Sequence, residues 1–458
     1  MGRAVLVGSW CGCCVALALG ALGCSSEDET SSATGSGGNT GGSGTTTGSG
    51  GVGQGGGSGG SGAGGTVGCE GQPSVGTFAC SSWSELGSFG PLDLSITNYA
   101  YTAAVTINGS GYPVAAWHEM DTGAYSIMVK RWNGNTWELL GGGPVDMDPT
   151  GHSQSPSLAT VCAGNPVVAW GEDQEVYVKR WDGSAWKQLG TESLRVSAGD
   201  DVYASQPSLA IDGTDRVTVT WHEWDSSLAR DVFVKRWDGS SWEQLGTGPI
   251  DMVATDSARA AVVAVGADGQ PVVAWNESDS HTGSTTRHET FVKRWTGSSW
   301  EQLGGGAIEP LTGIQTYSPS LRIDSTGAAV VALYELLSDG SSSRVFVVRL
   351  DGDSWSRVGD DLPLGVDEDS TAPSLALDAA DQPVVAWGLS TSGDNSVRAS
   401  HWTGSAWQSI GPGVVDIDSA QSAYGQVVAI DPQGHPYIVW NEWNETNASF
   451  DIYAGWCD

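Results

Sequence analysis

Two short segments of the sequence combine residue types that suit the binding of a sugar. They are Trp221-His222-Glu223-Trp224-Asp225 and Trp440-Asn441-Glu442-Trp443-Asn444. An exposed indole beside carboxylate and amide groups commonly binds the apolar face and the hydroxyls of a carbohydrate. We expect Trp224 and Trp443 to stack on sugar rings. Glu223 and Glu442 would then accept hydrogen bonds from the sugar hydroxyls. The alternative is that both indoles fold onto the protein surface and pack there.

Glu223 and Glu442 belong to a set of glutamates at one repeated position: Glu119, Glu172, Glu223, Glu277, Glu335 and Glu442. Arginines recur at a second repeated position: Arg131, Arg180, Arg236, Arg294 and Arg349. The sequence predicts that each glutamate pairs with the arginine of its own repeat, because Leu389 and His401 replace both together in one repeat. Glu442 has Gly455 in the place of the arginine, which makes it the best single site candidate.

Recognisable catalytic and metal-binding patterns do not place an active site in this sequence. Its seven histidines form no His-Glu-x-x-His pattern, and no Gly-x-Ser-x-Gly motif joins a predicted strand to a helix. We therefore predict no catalytic residue, no metal ligand and no cofactor. The acidic loops Asp146-Met147-Asp148 and Asp367-Glu368-Asp369 could take Ca²⁺, but they lack EF-hand spacing, and solvated loops are favoured.

An enzyme remains the alternative in a different class. A glycoside hydrolase or lyase on this chain would need two carboxylates converging near a central axis. Glu442, Asp225 and Asp279 would then have to cluster around a deep pocket, whereas scattered shallow sites would favour a binding protein.

The overall charge excludes several kinds of partner. The chain has 458 residues, with 53 acidic against 20 basic side chains, and a formal net charge of −33. Nucleic acid is excluded as a partner because neutralising phosphates needs clustered Lys and Arg. Direct adhesion to anionic lipid headgroups is disfavoured for the same reason.

The N-terminal segment predicts export and a lipid anchor. Arg3 precedes an apolar run at 4–22, so residues 1–23 are expected to be a signal peptide. The segment Ala21-Leu22-Gly23-Cys24 resembles the lipobox of bacterial lipoproteins, which implies that Cys24 is lipidated. Ser25, in place of Asp, implies sorting to the outer membrane, at its cell-surface or periplasmic face. The alternatives are an ordinary secretory signal or a membrane helix.

Residues 24–67 are almost entirely Gly, Ser and Thr, and they cannot form a core. As a random coil this stretch would span on the order of 35 Å. We therefore predict a disordered tether that holds a domain away from a membrane. Similar tethers behind a lipobox resemble those of surface lipoproteins from myxobacteria.

A repeat fills residues 68–458 and determines the fold. Its closing tryptophan recurs at 83, 137, 186, 242, 300, 355 and 407, a spacing typical of propellers or solenoids. Each unit predicts four antiparallel strands, as at 207–211, 216–223, 231–237 and 242–245. Dipeptides such as Asn133-Gly134 and Asp182-Gly183 favour two-residue type I′ turns. The chain is therefore predicted to be all-β, a seven-bladed β-propeller.

The two ends of the repeat region predict how the ring closes. Residues 451–457 resemble a third strand without a fourth, and residues 80–87 resemble a fourth strand without a third. Together they would complete a shared seventh blade and remove the open edges. This pairing brings Cys80 and Cys457 to one place, so we expect a disulfide between them. Cys69 is the competing partner, and Cys162 is expected either as a free thiol or bridged to Cys69.

Most of the 22 tryptophans are predicted to be packing residues. Nineteen occupy three repeated positions and Trp10 lies in the signal peptide, which leaves Trp224 and Trp443. Both are expected in loops that follow the second strand of a blade, on one face of the propeller. The segment 278–290 is expected to extend that face.

The repeat Trp-Asp-Gly-x-x-Trp, as at 181–186, resembles that of propeller lectins, whose sites combine Arg, Glu and Trp. It is also similar to the Asp-box propellers of sialidases, although Asp182 and Gly183 are adjacent here and no Ser precedes Asp182 by two positions. The resemblance implies a propeller that handles carbohydrate, but it does not place the sialidase arginine triad or nucleophilic tyrosine on any residue.

The sequence therefore predicts a lipid-anchored, monomeric, non-enzymatic binding protein. Carbohydrate is the favoured ligand class, recognised through loops on one propeller face. A surface protein held on a flat apolar face is the other candidate partner.

Overall fold

The computed structural model describes residues 82–457, apart from 88–89, 96–97, 122, 226–228, 255, 280–286, 309–312, 338–341, 364–368, 391–394 and 419–420. The predicted signal peptide, the lipidation site Cys24, the tether, and the cysteines Cys69 and Cys80 lie outside these residues, so they stay predictions. Within the described part of the chain, no helix is long and apolar enough to cross a membrane.

The described residues form twenty-eight strands in seven antiparallel sheets of four strands, and each sheet is one blade of a β-propeller. Strand β1 is Ser84–Glu85. Blade 1 contains β2 (Ala100–Ile107), β3 (Pro113–Asp121), β4 (Ala124–Trp132) and β5 (Trp137–Leu139). Blade 2 contains β6 (Ser153–Thr160), β7 (Pro166–Glu172), β8 (Glu175–Trp181) and β9 (Trp186–Gln188). Blade 3 contains β10 (Tyr203–Ile211), β11 (Val217–Trp224), β12 (Arg230–Trp237) and β13 (Trp242–Gln244).

Blade 4 contains β14 (Ser257–Val265), β15 (Pro271–Asp279), β16 (Arg287–Trp295) and β17 (Trp300–Gln302). Blade 5 contains β18 (Gly313–Ile323), β19 (Ala329–Leu337), β20 (Ser343–Asp351) and β21 (Ser354–Arg357). Blade 6 contains β22 (Asp369–Leu377), β23 (Pro383–Ser390), β24 (Asn395–Trp402) and β25 (Trp407–Val414). Blade 7 contains β26 (Ala423–Ile430), β27 (Pro436–Asn444), β28 (Ser449–Trp456) and β1. A single 3₁₀ turn, Leu140–Gly142, follows β5.

The core lies between the blades, which pack face to face around an axis. Strand β7 is buried at every position because blades cover both of its faces. The first strands of neighbouring blades contact one another around the whole ring, from β2 to β26 and back to β2, so they line the axis. The predicted all-β, seven-bladed architecture is confirmed.

Strands from the two ends of the chain close the ring, as the sequence predicts. Ser84 pairs with Trp456 and Glu85 with Gly455, which adds β1 to blade 7 as its fourth strand. The Asp93 carboxylate accepts a hydrogen bond from the Ile452 backbone N–H at 2.9 Å. Cys457 is buried beside this seam. Because its predicted partner Cys80 is outside the described residues, the disulfide stays a prediction.

Antiparallel pairing gives the propeller two different ends. We call the end with the turns between strands 1 and 2 and between strands 3 and 4 the hairpin end. The opposite end, which carries the turns between strands 2 and 3 and the connections between blades, is called the loop end.

The turn between strands 3 and 4 of blade 2 differs from the predicted type I′ turn. In blade 2 the strands are joined by the four residues 182–185, and only Gly183 has a positive φ, of 100°. The Asp182 carboxylate accepts hydrogen bonds from the backbone N–H groups of Ser184 and Ala185, at 2.8 and 2.7 Å. The two-residue prediction is wrong here because the aspartate side chain closes a wider loop.

The hairpin end repeats one tryptophan arrangement. In five blades the last residue of strand 3 and the first of strand 4 are paired indoles, with ring centroids 5.4 to 5.7 Å apart. The Trp242 Nε1 donates a hydrogen bond to the Leu189 carbonyl of the preceding blade at 2.7 Å, and its ring lies over Gly190. These indoles join neighbouring blades, which agrees with the predicted packing role.

Candidate functional site

The repeated glutamates lie at the loop end, where five of the six hold a connection between blades; the sixth, Glu335, lies 3.5 Å from the Arg357 guanidinium. Glu223 accepts hydrogen bonds from the backbone N–H groups of Val196 and Ser197, at 2.6 and 2.8 Å, and from Trp221 Nε1 at 2.8 Å. The same three-donor arrangement recurs at Glu119, Glu172, Glu277 and Glu442. Each of these five carboxylates therefore fixes the segment that enters its blade.

The predicted pairing of these glutamates with the strand-3 arginines is wrong. Glu223 faces Asp231 across the sheet, whereas Arg236 faces Thr218, five positions and roughly 17 Å further along the strand. Arg236 instead lies 3.6 Å from the Glu243 carboxylate at the hairpin end. The antiparallel register separates the two groups to opposite ends of the blade.

In the predicted ligand acceptors Glu223 and Glu442, both carboxylate oxygens already accept hydrogen bonds from the chain. The exposed fractions of the two residues are 2% and 3%, and both carboxylates are bound by three donors of the chain. The absence of an arginine beside Glu442 does not set it apart, because its partners match those of the other glutamates. We therefore leave both glutamates out of the candidate site.

A lysine that the sequence reasoning passed over completes the structural set in four blades. The Nζ of Lys235 lies 5.8 Å from the Trp221 ring centroid and donates to the Leu194 carbonyl at 2.8 Å. Equivalent contacts occur at Lys130, Lys179 and Lys293. Each of these lysines directly precedes the strand-3 arginine, so repeat alignment could have identified it.

Trp224 and Trp443 lie at the loop end, but within strands β11 and β27 and not in the loops that the sequence predicts. The ring of Trp224 is partly covered. It stacks on Tyr203 with centroids 5.3 Å apart, and the Arg230 guanidinium lies 5.1 Å from its centre. Tyr203 is 37% exposed. The accessible ring of this blade 3 patch, defined as Tyr203, Trp224 and Arg230, is therefore the tyrosine, with Trp224 as its support.

Trp443 lies in a second aromatic group at the loop end, which spans blades 7 and 1. Its ring meets the Phe450 ring at 5.0 Å, and Phe450 also contacts Tyr424 at 5.7 Å and Tyr101 at 5.4 Å. Tyr424 is 39% exposed. We call these four residues the blade 7 patch; it contains no Arg or Lys.

A backbone bulge in every first strand directs side chains at the loop end. The register shifts in each of the seven strands, next to a residue with φ between 47° and 63°: Thr102, Ser155, Gln206, Ala260, Ser318, Ala372 and Gly425. Positive φ at six non-glycine residues is strained, and such bulges often lie beside functional sites. The residue before the bulge varies between blades, and it is Tyr101, Arg259, Tyr317 and Tyr424 in four of them.

The bulge of blade 5 is fixed by a buried asparagine from blade 4. Asn276 Oδ1 accepts a hydrogen bond from the Ser318 backbone N–H at 2.8 Å. Its Nδ2 donates to the Thr316 carbonyl at 3.1 Å and to the Thr290 hydroxyl at 2.8 Å. Tyr317 is thereby held in place beside His288, with ring centroids 5.0 Å apart.

Two histidines close to this region are neutral at pH 7. Burial lowers the pKa of His222 to about 3, with smaller contributions from the charges of Arg230 and Arg259, and it lowers the pKa of His288 to about 4, with a contribution from Arg259. Burial also lowers the pKa of Arg259 and raises that of Tyr317. The positive charges around these histidines are therefore those of Arg230 and Arg259.

The acids considered for hydrolysis do not come together in the described part of the chain. Glu442 belongs to blade 7 and Asp225 follows β11 in blade 3, while the side chain of Asp279 is not described. Among residues 82–457, with the gaps given above, no three His, Cys, Asp or Glu side chains are grouped to hold a metal ion. Asp146 and Asp148 bind backbone N–H groups instead, and Asp367-Glu368 lies outside the described residues.

Solved structures share this architecture at low sequence identity. An ulvan lyase, from a new family of polysaccharide lyases, matches with a TM-score of 0.54 at 13% identity, over 81% of this chain and 95% of its own. The ulvan lyase bound to -[GlcA(1-4)Rha3S]- gives a TM-score of 0.52 at 13% identity, over 83% and 94%. The Aleuria aurantia lectin with Fucalpha1-6GlcNAc gives 0.41 at 13% identity, over 65% and 94%.

No protein-family model matches the sequence, and no curated protein does so. The likeness to solved structures therefore shows the propeller fold alone.

Proposed function

We propose that this protein is a lipid-anchored, monomeric glycan-binding module that recognises carbohydrate at the loop end of its propeller. The observation that carries the proposal is where large apolar and aromatic side chains are exposed. Of seven such side chains among the described residues, six lie at the loop end: Leu94, Met147, Tyr203, Met252, Ile417 and Tyr424. The seventh, Tyr112, lies in the turn between β2 and β3 at the hairpin end.

The two tyrosines are the stacking platforms of this proposal. Tyr203 and Tyr424 are each supported from behind by aromatic rings, which reduces the conformational entropy lost when a ligand binds. An exposed, rigid ring with polar neighbours suits the apolar face of a sugar. The ulvan lyase, a polysaccharide lyase with the same fold, supports carbohydrate as the ligand class.

The test is glycan-array binding by the full chain carrying Cys24→Ser, which removes the lipid, with and without Ca²⁺. We expect binding that the Tyr203→Ala/Tyr424→Ala double variant loses. Tyr112→Ala removes an equally exposed tyrosine at the hairpin end and should keep binding. Equal loss in both variants, or silence across a broad array, would count against the proposal. Release of shortened or unsaturated sugars by the same preparation would instead assign an enzyme.

A protein-interaction scaffold is the second candidate function, and a specific observation favours it. Leu94, Met147, Met252 and Ile417 occupy the same place in four inter-blade connections and are 38 to 49% exposed. They surround the loop end with an apolar side chain at each of these connections. A double substitution such as Met147→Ser/Met252→Ser should abolish capture of a surface protein while leaving glycan binding intact.

Anchoring at the outer membrane is part of the same proposal and rests on the sequence around Cys24. Metabolic labelling with palmitate should label the wild-type chain and fail to label Cys24→Ser. Protease accessibility on whole cells would then decide between the cell surface and the periplasmic face.

A further inference from the structure

Arg259 and Arg322 differ from most arginines of the described residues in having no carboxylate partner there, but Arg322 lies at the hairpin end of β18 and donates to the Leu321 carbonyl. Arg259 lies at the loop end of β14, directly before the bulge of blade 4, and it is partly buried. Nine other arginines lie within 4 Å of a carboxylate: Arg131, Arg180, Arg195, Arg216, Arg236, Arg294, Arg344, Arg349 and Arg357. Among the described residues no carboxylate pairs with Arg259, and no acceptor receives its buried Nε–H.

The lack of a carboxylate is informative because acids outnumber bases by 53 to 20 in this chain. A guanidinium that is partly removed from water loses hydration, and an ion pair usually compensates for this loss. Arg259 has no such compensation within the described residues. A group of this kind is suited to an anion that comes from outside the chain.

The histidines beside Arg259 are neutral and add no negative charge. The Arg259 charge contributes to the lowered pKa of His222, from blade 3, and of His288, from blade 4. Their Nδ1 atoms are buried and have no partner among the described residues. Neutral imidazoles add no charge of their own beside Arg259, and the only other ionisable group of the described residues that shifts the pKa of Arg259 is Tyr317.

Aromatic rings lie on both sides of this group. The blade 3 patch adjoins His222, whose ring is 5.3 Å from that of Trp224. On the other side Tyr317 stacks on Tyr334 with centroids 5.2 Å apart. Because Asn276 locks the bulge that carries Tyr317, this side is organised before any ligand arrives.

We propose that the loop end across blades 3 to 5 binds the anionic group of an acidic polysaccharide, with Arg259 as its ion-pair partner. His222 and His288 are neutral beside this arginine and add no charge, and Tyr203 stacks on an adjacent sugar. The shared chemistry is a carboxylate or sulfate ester on a sugar ring. The inference rests on the proposed glycan-binding function and names its substrate class.

The contrast with the blade 7 patch supports a local site over general attraction of polyanions. That patch has aromatic rings without Arg or Lys, and the whole chain carries a net charge of −33. Long-range attraction of a polyanion is therefore excluded, and any preference for an acidic sugar must come from short-range contacts.

The experiment compares matched sugars on the full chain carrying Cys24→Ser. One pair is a glucuronate-containing oligosaccharide and its carboxyl-reduced form, and the other is a sulfated oligosaccharide and its desulfated form. Calorimetry should give at least tenfold tighter binding of the charged member in one pair, as expected for a hydrogen-bonded ion pair. The pair that shows this preference identifies the carboxylate or the sulfate as the anion.

Arg259→Gln should reduce that preference to less than about twofold while keeping the affinity for the neutral member. Arg259→Lys should restore part of it, which would show that the effect is one of charge. Arg294→Gln, at the hairpin end, removes one positive charge elsewhere and should change nothing. Tyr203→Ala should weaken both members of a pair by the same factor.

Two results would overturn the inference. The first is that the wild-type chain binds both members of each pair equally. The second is that Arg259→Gln keeps the preference for the charged member. Either result would contradict the role of Arg259 without contradicting the proposed glycan binding. Failure of every sugar to bind the wild-type chain would reject the proposed function itself, and this inference with it.

Discussion

The two ends of each blade are built from similar residues but serve different purposes. At the hairpin end the tryptophans recur at fixed positions, and their indoles contact the preceding blade through a glycine and a leucine carbonyl. At the loop end five of the repeated glutamates fix connections, while the residues beside the bulges and the exposed rings differ from blade to blade. Repetition therefore stabilises one end, and the freedom to vary is confined to the other.

The largest difference between the ends should be seen when one tryptophan is removed from the hairpin end. Trp242→Ala deletes a ring that packs on Trp237 and Gly190, together with its bond to the Leu189 carbonyl. We expect a loss of about 3–5 kcal/mol in the free energy of unfolding, measured by chemical denaturation, with glycan affinity unchanged. A loss below about 1 kcal/mol would mean that this indole does not join the blades.

The carboxylates of the two ends should respond to pH in opposite directions. Burial raises the pKa of Asp93, at the loop end, to about 7, with contributions from Asp451 and Glu119. Between about pH 4 and pH 7 the native state keeps a proton that the unfolded chain has lost. The free energy of unfolding should therefore fall by roughly 2–4 kcal/mol as the pH rises through this range. Asp93→Asn keeps an acceptor for the Ile452 N–H and should flatten this change in denaturation midpoint.

Asp182 at the hairpin end is the matched control for this pH test. Hydrogen bonds from Ala185 and Ser184 lower its pKa to about 2, so its contribution is present above about pH 4 and is lost as the pH falls toward 2. Asp182→Asn should therefore abolish the part of the stability loss that occurs as the pH falls from about 4 toward 2, and it should leave the shape of the profile above pH 4 unchanged. Identical profiles for the two variants would contradict the assignment of opposite signs.

A pair of glycines tests whether contact with the next blade explains the hairpin end. Gly304 and Gly297 both have positive φ, of 74° and 95°. A Cβ at Gly304 would overlap the Trp355 indole, whereas one at Gly297 would meet nothing within 4 Å. Both alanine variants carry the same backbone penalty, so the excess loss for Gly304→Ala, about 1–3 kcal/mol by thermal unfolding, reports the overlap alone. Equal losses would show that the glycine serves only the turn.

The smallest effect on stability is expected at the loop end itself. Trp224→Ala removes the stacking with Tyr203 and Arg230, which is worth about 0.5–1.5 kcal/mol. Its effect on ligand affinity should be larger than its effect on stability, because Tyr203 loses its support. Calorimetry and denaturation of the same preparation separate the two. Greater loss at Trp224 than at Trp242 in denaturation would reverse the comparison.

The fold could be predicted from the sequence because its signals are local and repeated. The spacing of the closing tryptophans gave the blade count, and the incomplete repeats at the two ends gave the shared blade 7. The turn type was missed because the Asp182 side chain replaces a backbone contact, a choice that dipeptide patterns do not encode.

The candidate site was harder to predict because it depends on which residues of different blades come together. Pairing Glu223 with Arg236 ignored the register, which places them five positions apart. Tyr203 and Arg259 have no motif around them, and their importance follows from the bulges and from the neighbouring blades. Trp224 and Trp443 were found by removing every repeated tryptophan, which is the one signal of the site that the sequence contains.

The seam between β1 and β28 also affects the order of events in folding. A strand of two residues near the beginning of the described chain must wait for a partner near its end. Such a long-range pairing slows folding, because loop-closure entropy is lost before the contact forms. Until β28 pairs with β1, the blades already formed make an array with an unpaired edge at each end. The interval before this pairing is therefore the one in which the propeller is most open to aggregation and to proteases.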